Sequence, residues 1–335
     1  MTQEIETRIC RFLMEAGWGD AQRHPLAGDA SARRYERLAR GQTRAVLMIA
    51  PNMDEEIERF LRIGRWLTEN GFSAPQILAQ TDGLLLLEDL GDDLVARLIA
   101  QEPDREAGLY REITDFLLAL HARPAPEGLS VLDAQALSNL AQLCGDWYLP
   151  AAGREAADFA VPSLIAQAYF ALEPVAPVMC LRDFHAENLL WLPERSGTAR
   201  LGVLDFQDAV AAHPAYDLVS ALQDARRDVS TDVERSERAR YGATFGGDAA
   251  QFELAYALLG AQRSIRILGV FTRLCLAAGK ASYVALIPRT WGYIARNLAH
   301  PQLGEIKEAF FTAAPAPTDA MLQRMIDQCG THPMR

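Results

Sequence analysis

Apolar residues recur at helical spacing between Ile5 and Leu13 and stop short of Gly17, which predicts an N-terminal helix. A small-residue turn at 28–35 leads into a strand-like stretch at 35–38 and, past Gly41, into the apolar run 45–49. Pro51 and Asn52 break that run, and Ile57, Phe60, Leu61, Ile63 and Leu67 then mark one face of a helix. Leu84 to Leu87 reads as a buried strand ending at Glu88-Asp89-Leu90-Gly91. Beyond Gly91 helical patterns dominate, at 109–122, 133–148, 162–172, 216–227, 231–245, 251–269 and 282–298. Strand-like runs survive there only at 178–181, 188–192 and 201–206. The pattern predicts an α+β, two-lobe plan: a small β-rich N-lobe over 1–88 and a larger helical C-lobe over 89–335, with 88–91 as the hinge.

Composition narrows the partners. The chain has 335 residues and a net charge of -11, from 33 basic against 44 acidic side chains. That balance argues against nucleic acid as a partner, since phosphate backbones need a basic field. It leaves room for a local anion site. The first residues lack the basic start of a leader, and no apolar run reaches the ~20 residues a membrane helix needs. Five scattered cysteines form no metal-binding spacing, so no membrane partner and a reducing cytoplasm are expected. Only two lysines occur, Lys280 and Lys307, so any cation in a site built from the first 279 residues is arginine or histidine.

The sharpest chemical signal is Leu181-Arg182-Asp183-Phe184-His185-Ala186-Glu187-Asn188-Leu189-Leu190. An Asp five positions before an Asn, between apolar strands, matches the catalytic loop of kinases. There the Asp faces the acceptor hydroxyl while the Asn turns toward a metal on the nucleotide phosphates. Seventeen residues after Asn188, the run 201–204 delivers Asp205, Phe206, Gln207 and Asp208 at the end of a buried strand, where kinases keep a second Mg²⁺ ligand. Residues 193–197 supply the turn between the two strands.

These strings, in this order, resemble the aminoglycoside phosphotransferase and choline-kinase-like family of small-molecule kinases. Its Asp-Pro-x-x-Asp-Leu pattern is met here by His213-Pro214-Ala215-Tyr216-Asp217-Leu218, and the resemblance runs from about Ala27 to Gly304. More narrowly, the strings at 29–35, 217–228 and 268–274 are similar to the branch that phosphorylates the anomeric hydroxyl of N-acetylated amino sugars. The resemblance implies a protein-kinase-like bilobal fold, ATP and Mg²⁺ as cofactors, and a small-molecule sugar substrate. It implies Asp183 as the base, Asn188 and Asp205 as metal ligands, and Asp217 as a brace for the catalytic loop. Ser31, Arg33 and Arg34 fall where a glycine-rich loop covers phosphate, and Glu88, Asp89 and Leu90 where the hinge backbone reads adenine.

One departure is plain: the third-strand lysine of kinases is Met48 here. Either Arg33 or Arg34 substitutes, or Mg²⁺ and backbone amides hold the phosphates. Kinases for another small alcohol and a non-catalytic nucleotide-binding module remain as alternatives. The charge-dense string Asp224, Arg226, Arg227, Asp228 is read as one helix, by default a solvated face, with Asp224 and Arg227 as candidate sugar contacts. Glu55, Glu56 and Glu58 lie where a lysine partner is kept. His121, His185, Trp147 and Trp291 are read first as packing residues.

Overall fold

The computed structural model describes residues 2–26, 33–51, 53–155, 158–244 and 248–333. α1 (Thr2–Glu15) is followed by β1 (Gln22–Leu26), β2 (Arg34–Arg40), β3 (Thr43–Ile49) and α2 (Asp54–Glu69). Then come β4 (Ile77–Thr81), β5 (Leu84–Glu88), α3 (Val95–Gln101), α4 (Glu106–His121), α5 (Ala134–Leu143), the single turn α6 (Leu149–Ala151) and α7 (Val161–Phe170). Short strands follow: β6 (Val178–Cys180), β7 (Leu189–Trp191), β8 (Leu201–Val203) and β9 (Val210–Ala212). The chain ends in helices α8 (Ala215–Leu222), α9 (Thr231–Thr244), α10 (Ala249–Leu276), α11 (Ile287–Asn297), α12 (Gly304–Ala313) and α13 (Asp319–Asp327). No described helix is long and apolar enough to cross a membrane.

The chain divides into two compact units, residues 1–105 with 186–209 and residues 106–185 with 210–335. The first is built on a five-stranded antiparallel sheet in the order β1-β2-β3-β5-β4. Strand periodicity sorts its faces. Ala45, Leu47 and Ile49 of β3 join Leu38, Leu84, Leu86 and the α1 residues Ile9, Phe12 and Leu13 in one buried cluster. Met48 belongs to the other face, opposite Tyr35 and Leu85, and is 1% exposed. β1 and β4, which the hydrophobic pattern does not predict, are the sheet edges, and their mixed burial explains the missing alternation. The β7–β8 hairpin packs on this unit through Ser73, whose carbonyl accepts from Val203, and through Asp93, whose carbonyl accepts from Trp191.

The second unit is mostly helical, with β6 and β9 paired antiparallel inside it. Two predicted elements change here. The helix expected over 216–227 stops at Leu222, and residues 223–228 form a turn in which Asp224 accepts the Arg226 N–H at 2.8 Å. The charge-dense string is therefore not one solvated helix face, and Asp224 is buried at 1% exposure. The helix expected to end at Gly269 runs on to Leu276. Gly269 marks a close approach instead: a Cβ there would lie 2.2 Å from the Leu143 carbonyl, where α5 passes into the π-helical turn Cys144–Tyr148.

That contact fixes the sign of a substitution. Gly to Ala inside a helix normally gains about 1 kcal/mol, but the 2.2 Å approach is to backbone, which does not swing away. Gly269→Ala is expected to destabilise by about 3 kcal/mol through overpacking, and Gly292→Ala in α11, where nothing lies within 4 Å, to be neutral or stabilising. Urea denaturation of the two variants checks the contrast.

Candidate functional site

In the first unit the β7–β8 hairpin carries the candidate metal ligands. Its register pairs Leu189 with Val203, and the Leu204 N–H donates to the Asn188 carbonyl at 2.9 Å, which brings residue 188 beside the residue that precedes Asp205. Asp205 has φ +55°, a left-handed conformation that Asp adopts more readily than most residues. Phe206 fixes that turn: its ring is fully buried and stacks on Phe60 of α2 at 4.8 Å. A Cβ on Gly64 would sit 3.2 Å from the same ring, so α2 leaves room for it. The Asp205 side chain stays 45% exposed, so its carboxylate is available. Its Oδ1 accepts from Gln207 at 2.9 Å and from Arg33 at 3.2 Å. One carboxylate and one amide, both hard oxygen donors, fit an ion such as Mg²⁺ that takes its remaining ligands from water and phosphate.

Arg33 and Arg34 separate cleanly. Arg34 pairs with Ile49 across β2 and β3, on the face that packs on α1, and its charge acts on Glu6 of α1. Arg33 reaches Asp205 with a side chain only 10% exposed. Ser31 lies outside the described residues. Glu88 donates its N–H to the Gln76 carbonyl and offers its carboxylate to Arg195. The Asp89 carboxylate is buried on Arg37 at 2.7 Å, while Leu90 is buried and touches the space over Gly202. The side chains of Glu88, Asp89 and Leu90 are thus engaged within the first unit. Asp208 lies 3.8 Å from Arg59 of α2, which also approaches Glu56 at 4.0 Å; Glu55 and Glu58 are exposed.

In the second unit Asp183 sits on a turn defined from below by Asp217. The Asp217 carboxylate is fully buried and accepts the N–H groups of Leu181 and Arg182, at 2.5 and 3.0 Å. Ser220 Oγ donates to the Arg182 carbonyl at 3.1 Å. With both ends of the peptide held, Arg182 takes φ +69°, which a long unbranched side chain adopts only when its surroundings impose it. Phe184 is buried and stacks on Phe116 of α4 at 5.4 Å. The strained residue and the anchored ring bracket Asp183, which remains partly exposed. Burial alone would raise its pKa, yet Arg263, then Arg266, His185 and Arg182, hold it below the ordinary carboxylate value. Asp183 is ionised at neutral pH.

Around it lie residues that sequence reasoning did not find. Arg263 and Arg266 occupy successive turns of α10. The only signal for them is two arginines three apart inside an otherwise apolar helical run. Of the candidate sugar contacts, Asp224 is buried with Oδ1 on the Arg226 N–H and Oδ2 without a hydrogen-bond partner among the described residues, and burial raises its pKa. Arg227 is held by Tyr110 Oη at 2.7 Å and by Glu106 at 3.2 Å. Trp291 packs among Tyr148, Phe310 and Phe311.

Three histidines of this unit are held neutral. Burial, reinforced by Arg226, pushes His185 down to about 3. Burial, with His213 adding to it, does the same to His121, also to about 3. Burial brings His213 to about 4. His185 Nε2 lies 3.0 Å from Arg226 Nη1, so it is the acceptor and the proton sits on Nδ1. His121, Cys180 and Asp217 bring ligand atoms within 4.8 Å of one another, but the Asp217 oxygens are already taken by backbone N–H groups.

These depressed values stabilise the fold above about pH 6.5, where an unfolded histidine is also neutral, and that stabilisation is lost as pH falls toward 4. Asp217, pushed by burial up to about 7, works in the opposite sense. The histidine share is therefore read from a difference. His213→Gln is expected to reduce proton uptake on unfolding by about one between pH 6 and 4.5, about 1.4 kcal/mol less loss per pH unit. Denaturant titrations across that range measure it, and parallel slopes for the two proteins would remove His213 from the account.

Comparison with known proteins places this geometry. Residues 22–255 match the phosphotransferase enzyme family. The N-acetylmuramate/N-acetylglucosamine kinase of Caulobacter vibrioides is 39% identical, over 95% of this chain and 99% of that relative. The protein of the same description from Pseudomonas aeruginosa is 32% identical, over 91% and 93%. Among solved structures, a choline/ethanolamine kinase family protein from Mesorhizobium loti superposes with a TM-score of 0.58 at 17% identity, covering 92% of this chain and 98% of that one. A GDP complex of an aminoglycoside 2′-phosphotransferase gives 0.56 at 18% identity, covering 92% and 99%. At such low identity these likenesses speak for the fold, which is protein-kinase-like.

Proposed function

Because the chain belongs to the phosphotransferase enzyme family, we propose that it transfers the γ-phosphoryl group of ATP to the anomeric hydroxyl of N-acetylmuramate and N-acetylglucosamine, sugars of cell-wall recycling. The observation that carries the reading is Asp183: ionised, partly exposed, and presented on a turn that Asp217 and Ser220 hold in place. The extent of identity to the kinases of two bacteria supports the choice of sugar.

Asp183 accepts a hydrogen bond from the sugar hydroxyl, orients its oxygen for in-line attack and takes its proton. An anomeric hydroxyl is more acidic than an ordinary alcohol, so a carboxylate base suffices. Asn188 and Asp205 hold Mg²⁺, which when bound neutralises charge on the phosphate oxygens. Arg33, already on Asp205, supplies the planar cationic group that replaces the absent lysine of β3. Adenine is read by the backbone of Glu88, Asp89 and Leu90, with the Glu88 N–H itself committed to Gln76.

Turnover of Mg·ATP against a panel of sugars, amino alcohols and aminoglycosides tests the reading, with stimulation expected from the two acetylated sugars alone. Asp183→Asn is expected to lower kcat at least about 10²-fold with ATP affinity little changed; near-normal turnover in that variant would falsify the role of Asp183. Arg33→Ala is expected to raise KM for ATP and lower kcat together, by about tenfold each. Arg34→Ala, altered on the opposite sheet face, is expected to have a smaller effect on both. Equal effects would mean the phosphates are held without a specific arginine.

A further inference from the structure

The surroundings of Asp183 are more basic than a neutral or cationic acceptor needs. Arg182, Arg226, Arg263 and Arg266 gather there within a chain whose net charge is -11. The carboxylates shown near these guanidinium groups among the described residues include Asp183, the buried Asp224, and Asp217, which accepts two backbone N–H groups. Arg263 is 6% exposed and donates Nη2 to Ser220 Oγ, and its Nε has no hydrogen-bond partner among the described residues. A guanidinium buried on a neutral hydroxyl carries a desolvation cost that a nearby anion offsets. Three residues on, Arg266 lies on the same side of α10, partly exposed, with Nη1 3.5 Å from Tyr216 Oη. The buried arginine and the hydroxyl bracket the accessible one. Arg226 is committed differently, to His185 at 3.0 Å.

We propose that Arg266, backed by Arg263 and Tyr216, forms a subsite for a carboxylate on the acceptor sugar. The inference deepens the function proposed above and rests on it: of the two sugars named there, N-acetylmuramate carries a lactyl carboxylate and N-acetylglucosamine carries none. A planar guanidinium matches a carboxylate with two parallel hydrogen bonds, which makes Arg266 a specificity determinant rather than part of the phosphoryl-transfer chemistry. An acceptor lacking the acid still docks by the ring atoms both sugars share. A cationic acceptor, such as an amino alcohol, is repelled.

The first test uses the unmodified protein. N-acetylmuramate, its methyl ester and N-acetylglucosamine are compared as acceptors, and the ester is expected to lose roughly tenfold or more in kcat/KM relative to the acid, as befits a charge-assisted contact. The second uses Arg266→Gln and Arg266→Lys. In the Gln variant the ratio of kcat/KM for N-acetylmuramate over N-acetylglucosamine is expected to fall roughly tenfold, with the Lys variant between it and the parent. An ester as good as the acid, or an equal fall for both sugars, overturns the subsite. A raised KM for ATP in Arg266→Gln with the sugar ratio unchanged would assign the arginine to nucleotide phosphate instead, and also overturns it. Calorimetric binding of the acid and the ester without ATP separates this inference from the one beneath it. Preference for the acid without turnover would sink the kinase reading and keep the carboxylate site; turnover without preference would do the reverse. Should Arg266→Gln fail to fold, the acid and ester comparison on the parent protein decides.

Discussion

A buried carboxylate holding two consecutive backbone N–H groups is the constraint on which the turn that carries Asp183 depends. Asp217 receives Leu181 and Arg182 from beneath, Ser220 ties the Arg182 carbonyl from the same helix, α8, and the peptide between them adopts a left-handed turn at an arginine. Such a conformation costs of order 1–3 kcal/mol and persists only where several contacts dictate it. The return is direction: the next side chain, Asp183, projects from a fixed point instead of sampling a loop. Asp217 itself is expensive to bury, as its raised pKa records, and its two donors with Arg263 oppose that cost. The site and its frame share one arginine.

The same device recurs in the other unit with different parts. Asp205 is the second left-handed non-glycine residue among those described. Phe206, locked on Phe60 in the space over Gly64, sets its direction there. Arg33 then reaches it from the start of β2. In both units a strained carboxylate neighbourhood is imposed by a buried neighbour within the same unit. Met48, at the position where the kinase pattern carries a lysine, lies opposite Tyr35 and Leu85 and is 1% exposed, a core position.

Much of this was legible in the chain itself. The Asp183–Asn188–Asp205 spacing, on which the proposed site rests, is readable from the chain because catalytic loops impose fixed intervals. The α+β plan followed from a sheet-rich start and a helical remainder. The edge strands β1 and β4 were not legible, since half-exposed edges carry no alternation. Gly269 was misread as a helix end because a glycine that admits a neighbouring backbone looks, in sequence, like one that ends a helix. Asp224 to Asp228 read as a solvated helix because charge density says nothing about a turn that buries one member and pairs the others. Arg263 and Arg266 stayed hidden for the converse reason: their importance is spatial, through Ser220 and Tyr216, residues distant from them in sequence.

The proposed reaction makes one bond, between the transferred phosphorus and the oxygen on the anomeric carbon. Proton-coupled phosphorus NMR of the product formed from N-acetylmuramate and Mg·ATP observes that bond directly. The expected product is a sugar phosphate whose phosphorus couples to the anomeric proton, formed at the same rate as ADP. Phosphorus coupled to the C6 protons, or inorganic phosphate as the sole product, would contradict it.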